Sequence, residues 1–314
     1  MDGGALMKRR GSLFNLILFG LVLVFALGVA IPEVKGKPVI RLAYNPLPFN
    51  LPSLIEKEQN FMVKQGFEVQ YDTFLVGHAM TEAMASGDLD VAPVMGATST
   101  IVSKAGGREI KVIGCYSKAP GAFGLAVRPG GITIEQLKGA KIAVPIGTEA
   151  HVLLGKILAE QGLTLRDVQL VNLLIPDGIT ALQGGQVDGA MIVEPVMSRL
   201  EQAGKITILR DGVGLISGLT LSVVPATLVG SDQISAFQRA HNQSLTYLRE
   251  HPEQARVLAI SALDLPPSVV ESVAKKYIFD PDITEELRME LEDTICFLYN
   301  EGIIRKRISV DDLF

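Results

Sequence analysis

Residues 83–92 read AMASGDLDVA, and residues 181–190 read ALQGGQVDGA. Both fit one pattern: Ala, apolar, any, small, Gly, any, apolar, Asp, any, Ala. The phrase reads as a helix stopped by Gly, followed by an Asp that opens a buried apolar strand. Glycine has no Cβ and accepts the left-handed conformation that closes many helices. Position 83 maps onto 181 and position 90 onto 188, so one local device is used twice at a fixed offset.

Working outward, each copy closes the same succession of elements. In the first, VIRLAY (39–44) is a β-rich run stopped by Asn-Pro. A helix is expected over 50–66, where Leu54, Ile55, Phe61 and Met62 fall near helical spacing and Gly66 ends the run. FEVQYDTF (67–74) is a strand, GHAMTEAMASG (77–87) a helix, and LDVAPVM (89–95) a strand. In the second, AKIAVPI (140–146), EAHVLLGKILAEQG (149–162), VQLVNLLI (168–175), DGITALQGG (177–185) and VDGAMIV (187–193) repeat that order. Alternating strands and helices with short links imply a parallel sheet covered by helices. Two α/β lobes of like construction are therefore expected.

VGLISGLTLSVVPA (213–226) has no partner in the repeat and is placed to carry the chain back to the first lobe. The tail beyond it is helical, with Leu287, Leu291, Ile295 and Leu298 forming a packed stripe. The expected division is a leader and linker over 1–37, lobe 1 from 38–122 plus 217–314, and lobe 2 over 123–216.

Of the 314 residues 48% are hydrophobic, which excludes a disordered chain. The formal net charge is −5 and no basic stripe is present, so nucleic acid is not an expected partner. Lys8, Arg9 and Arg10 precede an apolar run over 13–30, and Gly28 and Ala30 suit the −3 and −1 positions of a cleavage site. That combination reads as a secretory signal, with an uncleaved anchor as the alternative. Cys115 and Cys296 are the only cysteines. They read as two buried, unpaired thiols, with a disulfide as the alternative in an exported chain. No metal or redox motif is formed, and no cofactor is expected.

Ligands of open parallel sheets bind beyond the carboxyl ends of the strands. The candidates in the first lobe are Asn45, Pro46, Phe49, His78, Gly96 and Thr98. In the second they are Thr148, Glu149, His151 and Glu194. Backbone amides at Gly147-Thr148 open a helix and suit an anionic or polar group, while Thr148 as a plain helix cap is the alternative. Glu149 at the first turn also balances the helix dipole. Glu194 falls at the repeat-equivalent of Gly96, as a ligand contact or as an ion-pair member; the contact is preferred, because a half-buried charge needs a partner. His78 and His151 begin helices in opposite lobes. No nucleophile elbow, P-loop or dinucleotide fingerprint is present.

The stretches ASGDLDVAPVMGATS (85–99), LKGAKIAVPIGTEAHVLL (137–154), PDGITALQGGQVDGAMIVEP (176–195) and DLPPSVVESVAKKYIFDPDIT (264–284), with the final DDLF, carry a resemblance. Over about residues 38–314 the chain resembles substrate-binding proteins of the nitrate/sulfonate/taurine class of ABC importers. That group also contains thiamine-pyrimidine-synthase-like domains. The resemblance implies a type II periplasmic-binding-protein fold, mainly parallel sheets flanked by helices, and closure on a small-molecule solute. It implies a soluble receptor that passes its solute to an ABC permease; with the export signal, a location in the periplasm or on the outer face of the cytoplasmic membrane is expected, and a monomer. The expectation is a binding protein and not an enzyme. The alternative is an enzyme of the thiamine-pyrimidine-synthase type, whose cysteine-rich motif and cofactor lysine find no place here. Glu149 departs from the class, which puts a small hydroxyl there, and the strand-end loops carry no Arg or Lys. A solute with a cationic, neutral-polar or zwitterionic part is therefore expected.

Overall fold

A computed structural model of the chain describes residues 36–314 with the exception of Pro46 and Leu75. The expected export segment and the candidate Pro46 lie outside the described residues. The first repeat contains β1 (Val39–Ala43), a 3-10 turn (Pro48–Asn50), α1 (Leu51–Gln59), the short α2 (Phe61–Lys64), β2 (Glu68–Asp72), α3 (Gly77–Ser86), β3 (Ala92–Gly96), α4 (Ala97–Ala105) and β4 (Ile110–Ser117). The helix expected in one piece over 50–66 is broken at Asn60, which sits in the left-handed region at φ 56° and ψ 38°. A short polar side chain tolerates that conformation better than most.

The second repeat contains β5 (Phe123–Val127), β6 (Lys141–Ala143), α5 (Glu149–Glu160), β7 (Gln169–Val171), α6 (Ile175–Gln183), β8 (Gly189–Val193), α7 (Val196–Gln202) and β9 (Thr207–Asp211). Then follow β10 (Thr220–Pro225), α8 (Asp232–Glu250), α9 (Pro252–Leu263), α10 (Pro267–Ala274) and α11 (Glu285–Asn300).

The second repeat builds one sheet in the order β7-β6-β8-β5-β9, with β6 parallel to both neighbours and β5 antiparallel to β8 and β9. In the first repeat β1 pairs with β2 in parallel, and β10 lies antiparallel between β3 and β4. A parallel bridge from Leu42 to Val91 joins these two pieces, and the Ala43 N–H donates to the Val91 carbonyl at 2.9 Å. The order β2-β1-β3-β10-β4 thus mirrors β7-β6-β8-β5-β9. The chain crosses between the sheets twice, between β4 and β5 and again between β9 and β10. β5 and β9 are additions to the repeat expected from sequence, and they complete the correspondence.

The repeated phrase acquires a mechanical meaning. Asp90 donates its N–H to the Arg41 carbonyl at 3.0 Å, and its carboxylate accepts the Arg41 N–H at 2.8 Å. Asp188 does the same to Lys141, at 2.8 Å for both bonds. Each Asp clasps the next strand at two points, just as its chain enters the sheet. Gly87 and Gly185, which precede them, take φ of 81° and 70°.

One apolar cluster runs from Met95 and Ile101 of the first repeat, through Leu125 and Leu153 of the second, to Leu287, Leu291, Ile295 and Leu298 of α11. Each such buried side chain contributes about 1.5–3 kcal/mol. α11 approaches α5 closely because Gly155 leaves room: a Cβ there would lie 2.6 Å from Phe297 Cζ. The two thiols are unpaired. Cys115 is buried as expected, whereas Cys296 is half-buried, and the Arg307 guanidinium donates to its Sγ at 3.2 Å.

Candidate functional site

Three of the helices that follow strand ends begin without a side-chain cap from their own N-cap residue. Val76 before α3, Gly96 before α4 and Thr148 before α5 make no side-chain capping hydrogen bond. Their first-turn amides therefore present partial positive charge that their own N-cap side chains do not offset. Thr148 turns its hydroxyl back to the Pro145 carbonyl at 2.7 Å, so the cap alternative weighed for it is not realised.

Two of these helix starts meet. Thr98, in the first turn of α4, donates to Oε2 of Glu149, the first residue of α5, at 2.5 Å. Thr98 is fully buried and Glu149 is 8% exposed. Burial pushes the Glu149 carboxyl up to about 7, against the pull of the Thr98 hydrogen bond. The charge of Glu290 pushes the same way and that of Lys156 opposes it. Lys156 itself donates to the Leu215 carbonyl at 2.8 Å. Glu290 of α11 accepts from the Ser217 N–H at 2.7 Å and from the Ser217 hydroxyl. α4, α5, α11 and the second crossing thus converge around two carboxylates.

His151, on the same turn as Glu149, is 3% exposed. Its Nδ1 accepts the Gly147 N–H at 3.3 Å, which leaves the proton of the neutral ring on Nε2. That Nε2 is buried with no hydrogen-bond partner among the described residues. Burial lowers the imidazole pKa, so the ring is neutral near pH 7. His78, in contrast, is exposed on the first turn of α3.

Glu194 follows β8 with its side chain wholly buried. Its carboxylate accepts from the Ser198 N–H at 3.1 Å and the Ser198 hydroxyl at 2.7 Å, capping α7, and it pairs with the Lys276 ammonium. Both oxygens are thus engaged by the protein, which is the ion-pair alternative weighed for this residue. The strand-end loops carry no cation, but Lys276 supplies one from beyond α10. It lies 82 positions from Glu194, and no local pattern marks it.

Beyond the end of β1, the Asn45 amide donates to the Phe74 carbonyl at 2.6 Å, and the Asn45 carbonyl accepts from the Asn50 amide at 2.7 Å. Oδ1 of both asparagines is buried without a partner among the described residues. Phe49 lies half-buried on the same turn. Among the described residues no group of three or more His, Cys, Asp or Glu is arranged to hold a metal ion. The sequence pattern singled out Thr98 and Glu149, which touch. It missed Asn50 of the 3-10 turn, Ser217 of the second crossing, Lys276 after α10 and Glu290 of α11, none of which stands in a pattern that points to binding.

The chain is 29% identical over 272 residues to a putative aliphatic sulfonates-binding protein of Bacillus subtilis, covering 83% of this chain and 82% of that one. It is 28% identical over 228 residues to the taurine-binding periplasmic protein of Escherichia coli, covering 73% of this chain and 63% of that protein's length. The periplasmic aliphatic sulphonate binding protein of Escherichia coli superposes with a TM-score of 0.76 at 22% identity, over 88% of this chain and 91% of that one. The alkanesulfonate-binding protein of Xanthomonas axonopodis bound to MOPS gives 0.78 at 22% identity, over 88% and 98%. The architecture is therefore the periplasmic-binding-protein fold. The sequence model described as "NMT1/THI5 like" matches residues 49–255, and the chain belongs to that family.

Proposed function

We propose that this chain is the extracytoplasmic solute-binding protein of an ABC importer and that its solute is a small organosulfonate with an amine, of the taurine kind. The two sheets, each ending in uncapped helix starts, would form lobes that shut on the solute, with 38–122 plus 217–314 in one and 123–216 in the other. Closure of this kind is favoured only by contacts made to both lobes at once. The similarity to sulfonate- and taurine-binding proteins supports the class of solute.

The observation that carries the amine is Glu149. A buried carboxylate with one neutral hydroxyl as its donor is poorly compensated, and an ammonium group would supply the missing charge. The sulfonate would take helix-start amides, with the His151 Nε2–H as a further donor. Glu194 needs no solute, since Lys276 already neutralises it. Micromolar binding requires about 8 kcal/mol in total, within reach of several desolvated hydrogen bonds. The receptor reading, under which the solute would leave chemically unchanged, is supported over the enzyme alternative by the placement of Cys115 inside β4, within the apolar cluster.

Titration calorimetry with taurine and with ethanesulfonate tests the reading. Taurine is expected to bind at least tenfold tighter, and Glu149→Gln to erase that preference. Because an ammonium holds Glu149 ionised, taurine binding near pH 6.5 should also release protons, seen as a heat that depends on the buffer. Equal or tighter binding of ethanesulfonate by the wild-type protein would overturn the amine assignment.

A further inference from the structure

The 3-10 turn Pro48–Asn50 separates two environments. On one side are the amides of Asn45 and Asn50. On the other is a cavity of about 160 Å³ whose lining includes Pro48, Leu51, Leu248, Val270, Tyr277 and Phe279. The walls come from the turn, from α1, and from the C-terminal helices α8, α9 and α10 with the segment after them. Nearly all of the lining is apolar. The rings of Tyr277 and Phe279 lie nearly parallel, 6.0 Å apart. The helical walls include Ala259 and Ala274, short side chains that leave the space open.

The cavity adjoins groups already placed at the strand ends. Pro48 and Asn50 share one short turn, and the buried Oδ1 of Asn50 lacks a partner there. Tyr277 directly follows Lys276, whose ammonium holds Glu194 at the end of β8. The cavity thus reaches the strand-end loop of β1 through Pro48, and its Tyr277 is the chain neighbour of the lysine that holds Glu194. An apolar cavity of roughly 150 Å³ stays dry and holds a benzene-sized molecule, so the volume suits about six carbon atoms.

We propose that this cavity is a side pocket for the hydrocarbon part of the solute, a linear or cyclic group of up to about six carbons. The inference rests on the solute-binding reading above and extends it: polar groups at the strand ends hold the head of the solute, and this pocket selects its tail. Compounds with a hydrocarbon tail would then be preferred over their one-carbon analogues.

The test is calorimetric titration of the purified protein with 1-alkanesulfonates, 1-alkylamines and 1-alkanols from methyl to octyl. At least one series should tighten about three- to fourfold for each added methylene and level off near hexyl. Ala274→Phe, at the exposed end of α10, should abolish that rise and leave the affinity for the methyl member unchanged. Ala259→Leu, filling the pocket from α9, should do the same, and the melting temperature checks that both variants fold. A rise seen with amines or alcohols but not with sulfonates keeps the pocket and overturns the sulfonate reading. No dependence on chain length in any series, or a rise that survives both variants, overturns the pocket.

Discussion

β3 and β8 begin alike and end differently. Each is opened by an aspartate that clasps the neighbouring strand, through Arg41 in one sheet and Lys141 in the other. β3 then runs out into Gly96, Ala97 and Thr98, whose hydroxyl looks across to Glu149. β8 runs out into Glu194, a carboxylate closed off by Ser198 and Lys276. Two glutamates therefore lie buried at neighbouring strand ends with opposite electrostatic situations. Glu194 is paired, and Glu149 is left with a single neutral donor. A repeat conserves what builds the sheet and leaves the strand ends free to diverge, and that is where a binding protein acquires its specificity.

The contrast is broken most severely at Lys276. Lys276→Met strands the Glu194 charge in the interior and should cost about 3–5 kcal/mol of unfolding free energy in urea titration. Adding Glu194→Gln should return most of that loss; a double variant as unstable as the single one would mean that packing and not charge is at stake.

Glu149 should behave in the reverse sense. Its unfolded carboxyl ionises near 4.5 and its folded one near 7. Between those values the folded chain keeps a proton that the unfolded chain has lost. Stability therefore falls as pH rises through this window and levels off above it. Glu149→Gln should match the wild type near pH 4.5 and exceed it by about 2–3 kcal/mol at pH 8. Parallel pH profiles for the two proteins would refute the assignment.

The clasps sharpen the comparison at smaller scale. Asp90 is buried at 9% exposure, with the Arg41 guanidinium 3.6 Å away. Asp188 is half-exposed. Asp90→Ala leaves the part-buried Arg41 N–H without its partner and should cost about 2 kcal/mol, whereas water can replace Asp188, so that Asp188→Ala costs about 1 kcal/mol. Thermal melts of both variants rank them, and an inverted order would count against burial as the cause.

The doubled phrase was enough to announce two parallel βα units, because Gly-stopped helices and Asp-opened strands are local devices. Thr98 and Glu149 were legible as candidates as well, since both lie in segments that follow strand ends, where open α/β sheets place their ligands. The ion pair of Glu194 was not. Lys276 lies in a helical tail whose spacing announces packing only, and its meeting with β8 depends on where α10 docks. Nor was the break at Asn60 foreseen, because the apolar spacing continues through it while the backbone does not. The Pro48–Asn50 turn also escaped notice. The clasp to Asp90 spans 49 positions and that to Asp188 spans 47, so the first copy carries two extra residues before its clasp is closed.

The two crossings have a consequence for the order in which the molecule can be assembled. β5 to β9 are consecutive, so the second sheet has all its strands once residue 211 has been made. The first sheet waits for β10, the strand between β3 and β4, which ends at Pro225. On the growing chain, the half begun first is the half finished last.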